Sequence, residues 1–315
     1  MNTHTKKKSS SFHRLSADVL FDGKRNFVSI LHKILVLFIH FPLSWINNSS
    51  PNKNVDKNIK IKKFTVDNLD LQLKKINSTA SPSRKLCDLF WLNVDWAEMG
   101  KTLGEINICD LGCGSGEYYT KIQDYSNHKI HKYCGFDIYE DKNWAKIEAQ
   151  NKNITFKKYN GTDILEKIPK DTNVIISQSA LEHFSEDITV LRQIKTFVKS
   201  SQQTIYQIHL VPAVASLPLY PFHGVRQYSL RTISKITRLF SDFSEVVLFK
   251  LGDKEGNKVH IKYIKESIFP FLKKKTNKLE NTDYSKVCAN AIQKDFDSKN
   301  SDFPPFYALT IKTLK

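Results

Sequence analysis

Three glycines at alternate positions form the segment of this sequence best suited to hold a small ligand against the backbone. Gly112, Gly114 and Gly116 lie within the run LGCGSG, and glycine allows both tight turns and close approach of a ligand to the chain. Asp110 and Glu117 bracket the loop, which contains no basic residue. Coulombic repulsion therefore disfavours a phosphate, whereas a ligand with an ammonium and a sulfonium group suits this loop.

The two common phosphate-binding glycine loops do not match this segment. A dinucleotide fingerprint places its third glycine where Glu117 stands, whereas this sequence has glycine at position 116. A Walker loop ends in Gly-Lys-Ser/Thr, and no such triplet follows here. The spacing thus excludes both loops.

Short apolar runs that predict parallel strands precede each polar candidate. A strand at 106–110 leads into the glycine loop, and a helical pattern begins at Glu117. Asp137 ends a second strand-like run, Asp163 follows a strand at 154–158, and a further strand at 173–177 leads into Gln178. Because the carboxyl ends of parallel strands meet at one edge of a sheet, we expect these residues to gather there.

At this point the sequence resembles the class I S-adenosylmethionine-dependent methyltransferases. Their first motif reads strand, acidic residue, x, Gly-x-Gly-x-Gly, and residues 110–116 match it in full. The resemblance covers about 81–251 and the final strand at 306–313. It implies an α/β fold with a doubly wound, seven-stranded, mostly parallel Rossmann-like sheet, an antiparallel last strand and added N-terminal helices.

The resemblance also implies the cofactor, S-adenosyl-L-methionine, and the residues that contact it. Asp137 is expected to hydrogen-bond both ribose hydroxyls, and Asp163 to lie beside the adenine. The full set of expected cofactor contacts is Asp110, Gly112, Cys113, Gly114, Gly116, Asp137, Ile138, Thr162, Asp163, Ile164 and Gln178. No paired carboxylates indicate a metal site, so we predict none.

Two histidines are candidates for the base that removes a proton from an acceptor hydroxyl. His183 follows the fourth strand, whose carboxyl end faces the methyl group in this family, and His223 lies in the aromatic segment YPFHGVRQY. A structural imidazole remains the alternative for each. The predicted substrate contacts are Arg84, Glu182, Arg226 and Tyr228.

The acceptor class rests on a second, less specific resemblance. Residues 81–91 and 223–228 are similar to methyltransferases of bacterial surface-polysaccharide biosynthesis, which implies a sugar or sugar-containing substrate. A lipid, a quinone or another small molecule is the alternative, as is a membrane-associated scaffold without turnover. Nucleic acid is disfavoured, because Ser177-Gln178-Ser179-Ala180 stands where nucleic-acid amine methyltransferases carry Asp/Asn-Pro-Pro-aromatic.

Charge and cysteine usage constrain the setting. The chain has 315 residues and a formal net charge of +16, and residues 101–210 carry equal numbers of acidic and basic side chains. The excess therefore lies on both flanks, where it could attract an anionic membrane surface or a phosphorylated small molecule. Five scattered cysteines form no Cys-x-x-Cys pair, which favours a reducing compartment and a cytoplasmic protein.

The regions outside the resemblance give a division into two parts. Residues 1–80 are predicted to form an extension, with an apolar helix at 27–46 and a linker at 47–63. The apolar run is too short to span a bilayer, so it either packs on the protein or rests on the inner face of the membrane. Residues 81–315 form the predicted methyltransferase domain, with a polar helical insertion at 253–303. The oligomeric state is not predicted.

Overall fold

The sheet of this protein contains eight strands, as seen in a computed structural model that describes Phe38 and residues 55–159, 163–184, 186–219, 226–268 and 281–315. The side chains of residues 263–268 and 281–282 are not described. The strands are β1 Lys60–Lys63, β2 Ile106–Leu111, β3 Ile130–Asp137, β4 Ile154–Lys158, β5 Val174–Gln178, β6 Ile205–Pro212, β7 Glu245–Leu251 and β8 Phe306–Thr313.

The strand order is β1-β7-β8-β6-β5-β2-β3-β4. All pairs are parallel except those of β8, which runs antiparallel to both β6 and β7. The chain winds outward from β2 through β3 and β4, and then returns to place β5 on the other side of β2. Ligands bind at such a reversal of winding, beyond the carboxyl ends of the strands.

Helices cover both faces of the sheet, so the central strands are buried on both sides. In β5, Val174 and Ile176 join one hydrophobic core and Ile175 joins the other, as the alternation of side chains along a strand requires. The helices are α1 Leu69–Leu73, α2 Pro82–Leu92, α3 Trp96–Leu103, α4 Tyr118–Tyr125, α5 Asn143–Gln150, α6 Ile164–Lys167, α7 Asp187–Ser200, α8 Leu230–Thr237, α9 Lys254–Ile268 and α10 Asn281–Asp297.

The predicted fold class is confirmed, and the strand count and the linker need correction. The linker predicted over 47–63 does not extend to its end, because Lys60–Lys63 pairs in parallel with β7 as an eighth strand. Mostly exposed and lysine-rich, it is an edge strand that sequence patterns do not reveal. The apolar run at 27–46 lies outside the described residues except for Phe38, and the division at residue 80 stays a prediction.

Two helices of the 253–303 region pack against α2. The fully buried Ser83 of α2 and His260 of α9 form a hydrogen bond of 3.1 Å between Oγ and Nδ1. The buried Asp295 of α10 accepts the backbone N–H groups of Glu255 and Gly256, each at 2.9 Å, and so fixes the start of α9. Among the described helices, none is long and apolar enough to cross a bilayer.

Candidate active site

Where the glycine loop leaves β2, its backbone has a conformation that residues other than glycine rarely adopt. Gly112 has a φ of 77°, and its N–H donates to the carbonyl oxygen of Phe136 at 2.7 Å. A Cβ atom at position 112 would collide with the side chain of Ala180, in the segment that follows β5. The loop backbone thus packs into the space between the ends of β2 and β5, which explains the need for glycine.

Asp137, the last residue of β3, fixes the second part of the loop. Its Oδ2 accepts the N–H of Gly114 at 2.9 Å, and its Oδ1 accepts the N–H of Tyr139 at 3.2 Å. Trp144 of α5 donates its indole N–H to the Gly114 carbonyl at 2.9 Å. An ionised carboxylate has about four acceptor sites, so Asp137 retains the capacity to accept hydroxyl groups of a ligand.

Asp110 is a second buried carboxyl group beside the loop. The Tyr133 hydroxyl donates to Oδ2, whereas the buried Oδ1 has no hydrogen-bond partner within the part of the chain that the structure describes. Burial raises the pKa of Asp110 to about 7; the charge of Asp137 acts in the same direction, and the Tyr133 bond opposes both. A cationic group placed at Oδ1 would relieve this desolvation and favour the ionised form.

A cavity of about 690 Å³ opens at the carboxyl ends of the parallel strands, in the size range of small-molecule sites. The acidic residues that line this cavity lie on the side of the glycine loop, and they are Asp110, Glu117 and Asp137. The other side is formed by α2, the segment before it, and α9. That side contains the polar residues Asn77, Thr79, Ser81, Ser83, Arg84 and His260, together with Ala80 and Cys87.

Helix α2 begins at the cavity with two basic residues in its first turn, where the helix dipole disfavours cations. Ser81 caps the helix by accepting the N–H of Arg84. Lys85 is buried and donates to the carbonyls of Asn77 and Ser78, at 2.8 and 2.9 Å. Lys85 therefore fixes the wall segment, whereas Arg84 lines the cavity with its guanidinium 5.8 Å from the ring centroid of Tyr118.

The segment after β5 brings Gln178, Ser179, Ala180 and His183 to the cavity. Gln178 is oriented by Trp91, whose indole N–H donates to Oε1 at 2.7 Å. Ser179 has a φ of 49°, a left-handed conformation that turns the chain sharply at the end of the strand. Leu181–His183 forms a 3₁₀ turn, and the next helix, α7, begins at Asp187.

Glu182 points away from the cavity and is fully buried. Neither carboxylate oxygen accepts a hydrogen bond in the described chain, and Oε1 lies 4.0 Å from His183 Nε2. Burial raises the pKa of Glu182 to about 8, against a weaker opposing effect of its own backbone N–H and of Arg84. Glu182 is therefore mainly protonated at neutral pH and lies behind the buried side chain of His183.

Nine of the predicted site residues line the cavity: Arg84, Asp110, Gly112, Cys113, Gly114, Asp137, Ile138, Gln178 and His183. Thr162 and His223 lie outside the described residues. Gly116, Ile164 and Glu182 are buried behind the cavity wall. A Cβ at Gly116 would collide with the Phe156 ring, so this glycine is required for packing.

Three further predicted contacts have protein partners instead of a place on the cavity wall. Asp163 forms an ion pair of 2.6 Å with Lys167, one helical turn later. Asp187, the first residue of α7, forms an ion pair with Arg226 and accepts the buried Tyr228 hydroxyl at 2.8 Å. These bonds attach Arg226 and Tyr228 to the start of α7, and the substrate-binding roles of the two residues stay predictions.

Several cavity residues were not predicted from the sequence. Tyr118 and Lys121 lie on the helix predicted after the glycine loop, so the helical spacing of residues could have indicated them, and Ser83 lies on α2. His260 lies in the insertion and gave no sequence signal. Burial lowers the pKa of His260 to about 4, so its imidazole is neutral and can accept a hydrogen bond at ordinary pH.

Comparison with known proteins identifies a family for the central part of the chain. Residues 104–218 match the family described as methyltransferase domain. No curated protein matches the chain. The strand order, the loop at the end of β2 and this match together define residues 104–218 as the core of a class I S-adenosylmethionine-dependent methyltransferase domain, whose methyl donor is S-adenosyl-L-methionine.

Solved structures resemble the chain at low identity. An S-adenosylmethionine-dependent methyltransferase from Archaeoglobus fulgidus is 18% identical, with 78% of this chain and 100% of that chain covered and a TM-score of 0.42. A 1,6-didemethyltoxoflavin-N1-methyltransferase from Burkholderia thailandensis is 11% identical, with 71% and 79% covered and a TM-score of 0.41. At these TM-scores we draw nothing from the two structures about the acceptor.

The residues present fit this methyl donor. The donor carries an ammonium and a sulfonium, and the cavity offers the unpartnered Oδ1 of Asp110 and no basic residue in the loop. Asp137 has acceptor capacity for ribose hydroxyls, and Gly112 keeps the loop clear of a side chain. The cofactor-binding roles of individual residues remain proposals.

Proposed function

We propose that the protein methylates a hydroxyl group of a sugar or a sugar-containing intermediate of surface-polysaccharide biosynthesis. The observation that supports this most is the wall opposite the glycine loop, where Asn77, Thr79, Ser81, Ser83 and His260 present amide, hydroxyl and imidazole groups. A sugar exposes hydroxyls that pair with such groups. A quinone or lipid acceptor would need an apolar wall at the same place.

The proposed cofactor contacts follow from charge and position. Asp110 would pair with the ammonium group, and Asp137 would accept the ribose hydroxyls while its other bonds hold the loop. When bound, S-adenosylmethionine supplies an electrophilic methyl group whose carbon–sulfur bond breaks as the acceptor oxygen attacks. The chain's main contribution is alignment of the two reactants, which can supply about 7–11 kcal/mol.

His183 is proposed as the base for the hydroxyl proton. It lies in the cavity wall after β5, and the family resemblance implies that this strand end faces the methyl group. As the oxygen–carbon bond forms, the imidazole takes the proton from the acceptor oxygen, so the product is a neutral ether. A positioned base contributes about 10²–10⁴-fold. His223, the second candidate, lies outside the described residues.

Arg84 and His260 are proposed to contact the acceptor. Arg84 presents a fixed fork of donors from the first turn of α2, and the neutral imidazole of His260 is held by Ser83. The open cavity and its retained carboxylates argue against a scaffold that has lost the cofactor, because an apolar side chain would then fill the space.

Calorimetric titration with S-adenosylmethionine and S-adenosylhomocysteine tests the first part of this proposal. We expect wild-type protein to bind both and Asp137→Asn to bind at least about tenfold more weakly, since a charge-assisted hydrogen bond is lost. Asp171→Asn is the matched control, because Asp171 pairs with Lys132 before β5, at the opposite end of the strand. Equal losses in both variants would contradict the assigned site.

The acceptor is tested by release of S-adenosylhomocysteine with a panel of nucleotide sugars, free sugars, quinones and fatty acids. We expect turnover with a member of the sugar group only, and mass spectrometry should show a gain of one methyl group on oxygen. Turnover confined to quinones or lipids would overturn the sugar proposal and leave the methyltransferase assignment intact.

A further inference from the structure

A second cavity, of about 600 Å³, adjoins the first and has no role in the proposed chemistry so far. The two cavities share Asn77 and Lys121 in their walls, so they are neighbouring compartments that meet at these residues. The second compartment lies on the α4 side of α2 and is mainly polar. The lining residues that the argument uses are Gln72, Lys75, Asn77, Asn93, Lys121 and Asp124.

Lys121 is a cation held in place at the junction. Its Nζ lies 3.1 Å from Oδ2 of Asp88, a carboxylate with no exposed surface that also accepts the Tyr118 hydroxyl at 2.8 Å. The ammonium also lies 5.4 Å from the Tyr118 ring centroid, yet the Lys121 side chain remains 39% exposed. An ammonium has three donors, and Asp88 accepts one of them, so the orientation is fixed without exhausting its hydrogen-bonding capacity.

Basic side chains outnumber acidic ones among the lining residues of the second compartment, although the buried Asp88 balances the charge of Lys121. Among its described lining residues, Lys75 and Lys121 are basic and Asp124 alone is acidic. On the side of the first cavity, Arg84 lies 5.8 Å from the same Tyr118 ring that Lys121 contacts. Arg84 and Lys121 thus line the first cavity, and Lys121 and Lys75 line the second.

We propose that the junction at Lys121 binds an oxyanion of the acceptor, a phosphate or a carboxylate, and that the adjoining compartment holds the polar part of the acceptor attached to it. This inference rests on the proposed function and makes the acceptor an anionic sugar derivative larger than a free monosaccharide. Gln72 and Asn93, which hydrogen-bond to each other, line the far side with groups that pair with hydroxyls.

The test is calorimetry on protein saturated with S-adenosylhomocysteine, titrated with pyrophosphate, inorganic phosphate and glucuronate. We expect binding at millimolar concentrations that weakens with added salt. Lys121→Met should weaken it about tenfold, because a charge-assisted hydrogen bond is lost, and Lys75→Met by a smaller factor. Lys74→Met is the matched control: Lys74 is exposed and one residue away, but lines neither cavity.

Each outcome is decisive. Binding that is unchanged in Lys121→Met and Lys75→Met, or weakened equally in Lys74→Met, would show only a general attraction to a basic surface and would overturn the proposal. If Lys121→Met does not fold, the Lys75→Met result tests the proposal instead, because Lys75 is exposed and its replacement should not disturb folding. Stronger binding of glucuronate than of phosphates would assign a carboxylate. Failure of S-adenosylhomocysteine itself to bind would instead contradict the proposed function.

Discussion

The affinity of this protein for its cofactor should depend on the ionisation of Asp110. Burial raises the pKa of this carboxyl to about 7, and its Oδ1 has no partner among the described residues. If only the ionised form pairs with the ammonium, the competent fraction is about one tenth at pH 6 and about nine tenths at pH 8. Apparent affinity is proportional to that fraction, so it should rise about tenfold, or about 1.4 kcal/mol, across this range.

The assay is calorimetric titration with S-adenosylhomocysteine at several pH values between 5.5 and 8, in wild-type protein and in Asp110→Asn. The ligand's own amino group titrates in both proteins, so the ratio of the two affinities isolates Asp110. The asparagine oxygen can still accept the Tyr133 hydroxyl, which preserves that contact. A ratio that stays constant with pH would refute the assignment of this carboxyl to the ammonium.

The same ionisation should appear in the stability of the unliganded protein. The pKa of Asp110 is raised from 3.8 in the unfolded chain to about 7 in the folded protein. Between pH 3.8 and pH 7, the folded protein therefore keeps a proton on this carboxyl that the unfolded chain has lost. The free energy of unfolding therefore falls as pH rises through this window, by an amount on the order of 4 kcal/mol. Between pH 5 and pH 8, denaturant unfolding should show a loss that is about 3 kcal/mol larger in wild-type protein than in Asp110→Asn, since only the part of the window above pH 5 is sampled and Glu182 titrates in both proteins.

Three further substitutions test the site. Gly112→Ala should abolish S-adenosylhomocysteine binding because its Cβ would collide with Ala180, whereas Gly104→Ala, at a similar φ of 75° but in open space, should keep binding and cost only about 1–2 kcal/mol of stability. With the acceptor found by the panel, His183→Asn should lower kcat about 10²–10⁴-fold and leave cofactor affinity within about twofold; unchanged kcat would exclude it as the base. Glu182→Gln should reduce the loss of unfolding free energy that wild-type protein shows as pH rises from 4.5 toward about 8 and leave the part that comes from Asp110, since the raised pKa of each carboxyl favours the folded state only at lower pH.

The central part of the sheet could be predicted because the sequence patterns that indicate it lie within short stretches of the chain. A strand buried on both faces is a continuous apolar run, and the glycine loop follows β2 directly, so both the fold class and the Asp110 region were visible in short windows. The strand Lys60–Lys63 was not visible, since an exposed lysine-rich edge has no apolar alternation. Its pairing is set by β7, almost 190 residues later in the chain.

The acceptor side of the site could not be predicted for the same physical reason. His260 reaches the cavity only because α9 is held by two long-range contacts, the Ser83 hydrogen bond to α2 and the Asp295 carboxylate of α10. Asp163 was predicted from its place after β4, yet its partner Lys167 lies one turn away on α6. Local order along the chain identified the strand ends and did not identify which side chains face the cavity.

Helix α2 connects the two halves of the site, and its buried polar residues explain how. Lys85 fixes the wall segment at Asn77 and Ser78, Asp88 orients Lys121 at the junction of the two cavities, and Ser83 holds His260 of the insertion. Because each of these side chains is buried, each would be costly to leave without its partner. The sheet thus supplies the geometry of a strand-end cavity, while one helix with three buried polar anchors determines the shape and charge presented to the acceptor. Acceptor choice in this protein should therefore respond to substitutions in α2 and α9 more than to substitutions in the sheet.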